Sequence, residues 1–252
     1  RGGEKMADEI SILKKRFKEL NERSRNKGIY FYSDFLNLYE QTILYDELKY
    51  GYTLYGGFSE AERKIAIFGS EDEFGYPPQP FVKILKVSPL SQKFADDLTH
   101  RDFLGSLMGL GIKRETLGDI IISDNCGYIF CLENMAKFIT DNLTSVRRTS
   151  VFCEECENLP ENALPSPEEK LIIVSSLRLD ALISAIYNIS RSKSSALVDG
   201  EKVFINGKLI NSISKTIEND DTVSVRGYGR FKLTEILGDT RKGRLRIKCD
   251  VY

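Results

Sequence analysis

Two short clusters in this 252-residue chain have side-chain types and spacings that could do chemistry. The first is cationic: Ser190-Arg191-Ser192-Lys193, with Arg178 upstream. Ser190 is placed to N-cap a short helix, its oxygen accepting a backbone N–H of the first turn. A helix N-terminus offers free N–H groups and a partial positive charge, an arrangement that accepts a phosphate. Arg191 and Lys193 in that first turn oppose the helix dipole, so their placement makes sense only if an anion arrives. The second cluster is Cys153-Glu154-Glu155-Cys156, which has the spacing of a metal-ligand pair. A zinc site needs four ligands, and Cys126 with Cys131 is the only other near pair of cysteines. Two acids between the thiols disfavour thiolates, so the reading is free cysteines, with no metal and no cofactor.

More cations follow the first cluster: Lys208, Arg226, Arg230, Lys232, Arg241, Lys242, Arg244 and Arg246. Several stand in Gly-rich frames, Arg226-Gly-Tyr-Gly-Arg230-Phe-Lys232 and Gly238-Asp-Thr-Arg-Lys-Gly-Arg244. The closing segment alternates Arg244, Arg246 and Lys248 with Leu245, Ile247, Cys249 and Val251. A strand there puts cations on one face and aliphatic side chains on the other. A basic sheet face beside a loop with Tyr228 and Phe231 could hold a nucleic-acid backbone and stack bases. Residues 171–252 carry 14 Lys+Arg against 9 Asp+Glu, a net of +5, which leaves 22 against 28, a net of −6, for the rest. A basic module fused to an acidic body points to a polyanion partner at one end only.

Hydrophobic residues make up 41% and charged residues 29%, too apolar a balance for wholesale disorder. No run approaches the about 18 apolar residues of a membrane helix. No basic-then-apolar leader opens the sequence, and five cysteines fit no secreted scaffold. The expectation is a cytoplasmic protein with reduced thiols and no membrane partner.

Two proline-broken stretches, Glu71–Pro80 and Glu157–Pro167, divide the chain. The predicted fold class is α+β: a mostly helical domain over 1–76, a second domain over 77–157, a linker over 158–170 and a basic domain over 171–252. In the first, Ile10, Leu13, Phe17 and Leu20 recur at helical spacing. A second helix is predicted over 33–49, with Ser33 as N-cap and Phe35, Leu38, Tyr39, Ile43 and Leu44 inward. Ser59-Glu-Ala-Glu-Arg63 reads as a further helix start. In the second domain the order of elements is βαββαβ, the split βαβ pattern of ferredoxin-like and RRM-like domains. Tyr128 and Phe130 share one strand face there. Core packing is the preferred reading for both, because the basic signature of an RRM is missing. In the basic domain a helix from near Ser176 presents Leu179, Leu182, Ile183 and Ile186. A second helix opens at Ser190, and Asn206-Gly207 predicts a type I′ hairpin between two short strands.

Two helices packed on a small hairpin sheet form the S4 RNA-binding domain. Residues 171–252 resemble it in Arg178-Leu-Asp180, Ser190-Arg191, Ala196-Leu-Val198, Gly200, Val203, Ile205-Asn-Gly207, Asp220 and Val223. The basic extension resembles the YlmH-type S4 proteins of bacteria specifically. So do Gly56-Gly57 with Ala61-Glu-Arg63, and His100-Arg-Asp-Phe-Leu-Gly105 followed by Gly109-Leu-Gly-Ile112. The resemblance covers nearly the whole chain and is weakest before Tyr52. It implies a non-enzymatic protein that binds structured ribosomal or transfer RNA. It further implies association with large ribosomal subunits whose translation has stalled with peptidyl-tRNA attached, and a link by gene neighbourhood to cell division. The middle domain would be a second RNA-binding unit, with His100 and Arg101 as candidate contacts. The acidic charge of the first two domains leaves a protein partner there open.

S4 domains often accompany enzymes, so catalysis is the competing expectation. Arg178-Leu-Asp180 could mimic the segment around a pseudouridine synthase's catalytic aspartate. The Ser190-Arg191 spacing instead assigns it to the S4 helix, with Asp180 as a surface acid. His100, the only histidine, has no Ser or Cys partner at a recognisable motif spacing. An enclosed pocket of converging titratable groups around His100 would favour an RNA-modifying enzyme. An acidic surface with an exposed apolar patch would favour an adaptor for protein partners.

Overall fold

The structure, a computed structural model, describes residues 2–79, 81–164 and 166–252. Arg1, Pro80 of the first expected break and Pro165 of the expected linker lie outside the described residues. The chain forms two compact units, Arg1–Leu164 and Pro165–Tyr252, and mixes helices with antiparallel sheets throughout. Among the described residues no helix is long and apolar enough to cross a membrane.

The first unit begins with α1 (Gly2–Lys27), β1 (Phe31–Leu36), α2 (Leu38–Glu47), β2 (Tyr52–Tyr55), β3 (Lys64–Phe68) and α3 (Glu71–Phe74). The strands form a sheet in the order β1-β3-β2, which stands beside the helices expected over 1–76. The helix predicted from Ser33 starts later, because Phe31, Tyr32 and Phe35 are strand formers. Ser33 is a strand residue whose Oγ accepts the Ala66 N–H at 2.8 Å. The true cap is Asn37: its Oδ1 accepts the N–H groups of Tyr39 and Glu40, while Glu40 accepts the Asn37 N–H. That reciprocal pair is a capping box. Ser59–Arg63 is likewise no helix. The Glu62 and Arg63 N–H groups go to the Asp119 carboxylate, and β3 begins at once.

The unit continues with β4 (Val82–Pro89), α4 (His100–Gly109), β5 (Leu117–Ser123), β6 (Cys126–Leu132), α5 (Glu133–Asn142), β7 (Ser145–Val146) and β8 (Thr149–Cys156). The sheet order is β5-β6-β4-β8-β7, so the first strand of the series lies between the third and the last. All seven residues of β6 are buried, because the sheet is covered on both faces. Leu85, Ile129 and Cys131 pack under Phe103 and Leu107 of α4 and Ile139 of α5. On the other face Phe130 and Leu132 meet Phe35, Ile65 and Ile67 of the first sheet. β3 is therefore buried twice over, since Ala66 and Phe68 turn the opposite way, toward Phe17 of α1.

The contact between the two sheets is close enough to require glycine. A Cβ on Gly118 would lie 2.7 Å from the Phe35 ring and 2.9 Å from Phe130. A Cβ on Gly57, whose φ is +95°, would lie 2.4 Å from Phe130. Residues of the expected linker also belong to this unit: Leu159 packs against the cluster that joins the two sheets, and Ala163 is buried.

The second unit contains β9 (Glu168–Val174), α6 (Leu179–Tyr187), α7 (Arg191–Asp199), β10 (Val203–Ile205), β11 (Lys208–Leu209), β12 (Thr222–Val225), β13 (Gly229–Asp239) and β14 (Leu245–Val251). Its sheet runs β11-β10-β12-β13-β14-β9, antiparallel throughout. β9 begins inside the expected linker of 158–170, which is correspondingly shorter. Its polar opening, Glu168-Glu169-Lys170, hides a strand whose register is set from outside by β14. Asn206 and Gly207 both have positive φ, 50° and 81°, as the predicted type I′ turn requires. α6 starts at Leu179 rather than near Ser176, because Arg178 bridges to Thr216 and the Leu179 N–H goes to the Lys215 carbonyl. The helices cover one sheet face: Leu179, Leu182, Ile183 and Leu197 pack on Val203, Val223, Phe231, Ile247 and Cys249.

Gly118→Ala tests whether the seam between the first two sheets is as tight as this geometry demands. Overpacking there should cost about 1–3 kcal/mol. Urea melts of the full chain should show the first unit's transition at lower denaturant, with the second unit's unmoved. An unchanged first transition would contradict the close approach of Phe35 and Phe130.

Candidate nucleic-acid interface

α6 ends at Asn188, in the left-handed region at φ 51°, and two residues later Ser190 caps α7. The Ser190 Oγ accepts the Lys193 N–H at 3.2 Å, as its sequence position predicted. This tight connection brings the start of α7 beside the start of α6. Arg191 Nη1 lies 2.8 Å from Asp180 Oδ2, and Arg178 Nε lies 3.1 Å from Oδ1 of the same carboxylate. The second amino group of Arg191 donates to Ser175 Oγ at 3.1 Å. Ser194, fully buried, donates its hydroxyl to the Asp180 carbonyl at 2.9 Å and so pins the two helices together.

Asp180 is thus a buried hub rather than the surface acid expected from the sequence. Its side chain is 7% exposed, whereas those of Arg178 and Arg191 are 43% and 49% exposed. Burial alone would raise its pKa. The hydrogen bonds and charge of Arg178 and Arg191 outweigh that and hold the carboxyl below the usual carboxylate range. The unfavourable placement of Arg191 in a first turn therefore has an internal anion to offset it. One carboxylate against two guanidiniums leaves a net positive charge, and each guanidinium keeps part of its surface toward solvent. Lys193 is exposed two residues further along α7, its ammonium 5.7 Å from the centre of the Tyr228 ring. Tyr228 in turn packs on Tyr187, with ring centres 5.4 Å apart.

The remaining predicted cations do not join this cluster. Strand alternation puts Arg230, Lys232, Arg246 and Lys248 on the sheet face away from the helices, because Phe231, Leu233, Ile247 and Cys249 face inward. Much of that face is already matched: Lys232 pairs with Asp220 at 2.8 Å and Lys248 with Glu169 at 2.6 Å. Arg230 lies over the Tyr252 ring, its guanidinium carbon 4.5 Å from the centre. Arg226 lies over Phe204 at 5.0 Å. Arg241, Lys242 and Arg244 are exposed in the turn from β13 to β14, and Lys208 is exposed on β11.

In the first unit, His100 and Arg101 begin α4 and are exposed. Partial desolvation, and then the charge of Arg114, lower the His100 pKa, with Asp119 opposing them. Asp102 accepts from the Thr99 backbone and hydroxyl, which hold its pKa down. Arg63 and Arg114 spend their donors on carbonyls of Phe35, Leu117 and Gly118, so they fasten backbone rather than face a ligand. Tyr128 and Phe130 are buried, as the core reading anticipated. Cys153 and Cys156 stand three residues apart on β8, so their thiols point to opposite faces. Burial pushes the Cys153 thiol up to about 11 and that of Cys131 up to about 12.

A protein-family model described as "Putative RNA-binding domain in YlmH" matches residues 81–159. The chain is 33% identical over 227 residues to the ribosome-associated protein quality control protein P2 of Bacillus subtilis (strain 168). That alignment covers 85% of this chain and 84% of the relative. The chain belongs to the YlmH family. A solved structure described as the cell division protein ylmH of Streptococcus pneumoniae superposes with a TM-score of 0.49 at 18% identity. The superposition covers 59% of this chain and 91% of that one.

The Asp180 hub can be tested by stability against pH. Asp180→Asn removes the charge but keeps the shape, and should cost the second unit about 1–3 kcal/mol near neutrality. Because the folded carboxyl has a depressed pKa, its contribution is fully present above the unfolded value, about 3.9. It is lost as pH falls through the still lower folded value. Thermal melts of wild type and Asp180→Asn should therefore differ at pH 7 and converge in acid. A difference that persists or grows in acid would show that the carboxylate's charge is not what stabilises the pair.

Proposed function

We propose that residues 165–252 are an S4-type RNA-binding domain and that Arg178 and Arg191, held by Asp180, form its phosphate-contacting centre. The observation that carries this reading is the geometry of those two guanidiniums. They are fixed by one buried carboxylate, stay half open to solvent, and lie at adjoining helix starts in the basic part of the chain. Fixed, unsaturated guanidiniums suit the oxygens of a nucleic-acid backbone, and little side-chain freedom is lost when they bind. Ser190, Lys193 and the exposed hairpin cations Arg241, Lys242 and Arg244 extend the contact. Backbone and shape recognition of this kind fits folded RNA.

Membership of a family that includes a protein named for ribosome-associated quality control supports a ribosomal setting. The RNA is accordingly ribosomal or transfer RNA, on the large ribosomal subunit during rescue of stalled translation, and the role is non-catalytic. Residues 81–159 are the second, ferredoxin-like domain of this arrangement. Their RNA contact lies at His100 and Arg101 rather than on the strand face of Tyr128 and Phe130, which is buried, with Phe130 packed against the first sheet.

Binding measurements on the two units test the assignment. Residues 165–252, which keep β9 whole, should bind structured RNA with an affinity that falls steeply as salt rises. Residues 2–164 should bind far more weakly, and equal binding by both would sink the proposal. Within the full chain, Arg191→Ala should weaken binding by about 1–3 kcal/mol and Lys202→Ala much less, although each removes one positive charge. Thermal melts report whether exposing Asp180 has unfolded the domain. Equal small losses would mean that net charge alone attracts RNA.

Chemistry is tested separately. Cells carrying Asp180→Asn or His100→Ala should lack no modified nucleoside in ribosomal or transfer RNA, as read by mass spectrometry of digested RNA. A single missing nucleoside would transfer the assignment to an RNA-modifying enzyme.

A further inference from the structure

A groove of about 710 Å³ opens in the first unit between α1, β1 and α2, with Glu115 also on its lining. Its volume is within the about 300–1,000 Å³ of ordinary ligand clefts. The floor is aliphatic and aromatic: Phe17, Phe35, Leu36 and Ile43 are buried there as part of the core. The walls carry Ile10, Leu13 and Tyr39, all partly buried. Ile12 stands at the rim with 68% of its surface exposed, one of the most exposed large aliphatic residues in the chain.

The polar lining has one dominant sign. Glu9, Asp34, Glu40 and Glu115 line the groove against a single cation, Arg16. Arg16 is already paired with Asp34 at 2.9 Å, and Glu40 is committed to the α2 capping box. Glu9 and Glu115 are exposed and enter no ion pair among the described residues. They stand beside apolar walls, in the part of the chain that carries the −6 net charge.

We infer that this groove is a docking site for a basic amphipathic helix of a protein partner. Such a helix sets aliphatic anchors at i, i+3, i+4 and i+7 into an apolar groove, while its flanking Lys and Arg meet acids on the rim. Charge decides between partners. An RNA strand would bring its phosphates against Glu9 and Glu115, whereas a cationic helix meets them with attraction. The buried strand face of Tyr128 and Phe130 is consistent with this division: the first unit has closed its aromatic sheet surface and kept an acidic, apolar cleft open. This inference does not depend on the RNA reading of residues 165–252.

The test uses the full-length chain and a fluorescein-labelled peptide of about 18 residues, five helical turns, with Leu at i, i+3, i+4 and i+7 and Lys or Arg elsewhere. Fluorescence anisotropy should report binding that weakens at least about tenfold in Ile12→Lys and several-fold in Glu115→Lys. Both residues are exposed, so thermal midpoints should stay unchanged. A scrambled peptide of the same composition should bind at least about tenfold more weakly. Amide exchange should slow over residues 9–17 and 33–43 when the patterned peptide is bound. Undetectable binding, equal binding of the scrambled peptide, or indifference to Ile12→Lys would each overturn the inference. So would a stem-loop RNA that slows the same amides, since that outcome assigns the groove to nucleic acid.

Discussion

A carboxylate taken out of water must be met by positive charge or hydrogen bonds, and the second unit is organised around meeting that demand at Asp180. Its carboxylate takes Arg178 from one side and Arg191 from the other, while its own carbonyl takes the Ser194 hydroxyl. The two helices therefore have one relative placement, and the aliphatic faces below them fall onto the sheet in register. The same requirement fixes the outward edges of the two guanidiniums. Stability and recognition draw on one group: the carboxylate that holds the helices also holds the cations proposed to meet phosphate.

In the first unit the corresponding constraint is volume. β6 lies between two apolar layers, with helices α4 and α5 on one side and the β1-β3-β2 sheet on the other. Gly57 and Gly118 let Phe130 and Phe35 approach without displacement. The consequence for function is specific. A βαββαβ sheet that displays aromatics can stack bases, and here the aromatics are spent on joining two sheets. The chemistry left to this unit is on its rims, where acids dominate the groove beside α1 and the isolated cations at α4 are few.

Charge was the most informative sequence signal and also the one most altered by folding. The +5 of residues 171–252 is real, yet ion pairs with Asp220 and Glu169 take up Lys232 and Lys248, and aromatic rings underlie Arg226 and Arg230. What remains for a polyanion is concentrated at the helix starts and in the turn from β13 to β14. A count of charges cannot distinguish a cation paired across a strand from one facing solvent, because the pairing depends on register.

The amino-acid sequence alone determined what depends on local patterns. The helical spacing of α1, the Ser190 cap, the Asn206-Gly207 turn and the order of elements over 82–156 all follow from neighbours within a few residues. The basic end and the residue types at Arg178 and Arg191 were equally legible. Only the tertiary structure decided what depends on partners far along the chain. Ser33 reads as a helix cap until Ala66 is seen across the sheet, and Glu168–Lys170 reads as linker until β14 supplies its ladder. Asp180 reads as a surface acid until the close of α6 and the start of α7 bring Arg191 to it. The groove lined by Ile12, Tyr39 and Glu115 joins residues from three separate stretches, and no local pattern marks it. Local hydrogen bonding can be read from spacing, but burial and charge pairing require knowing which distant residues arrive.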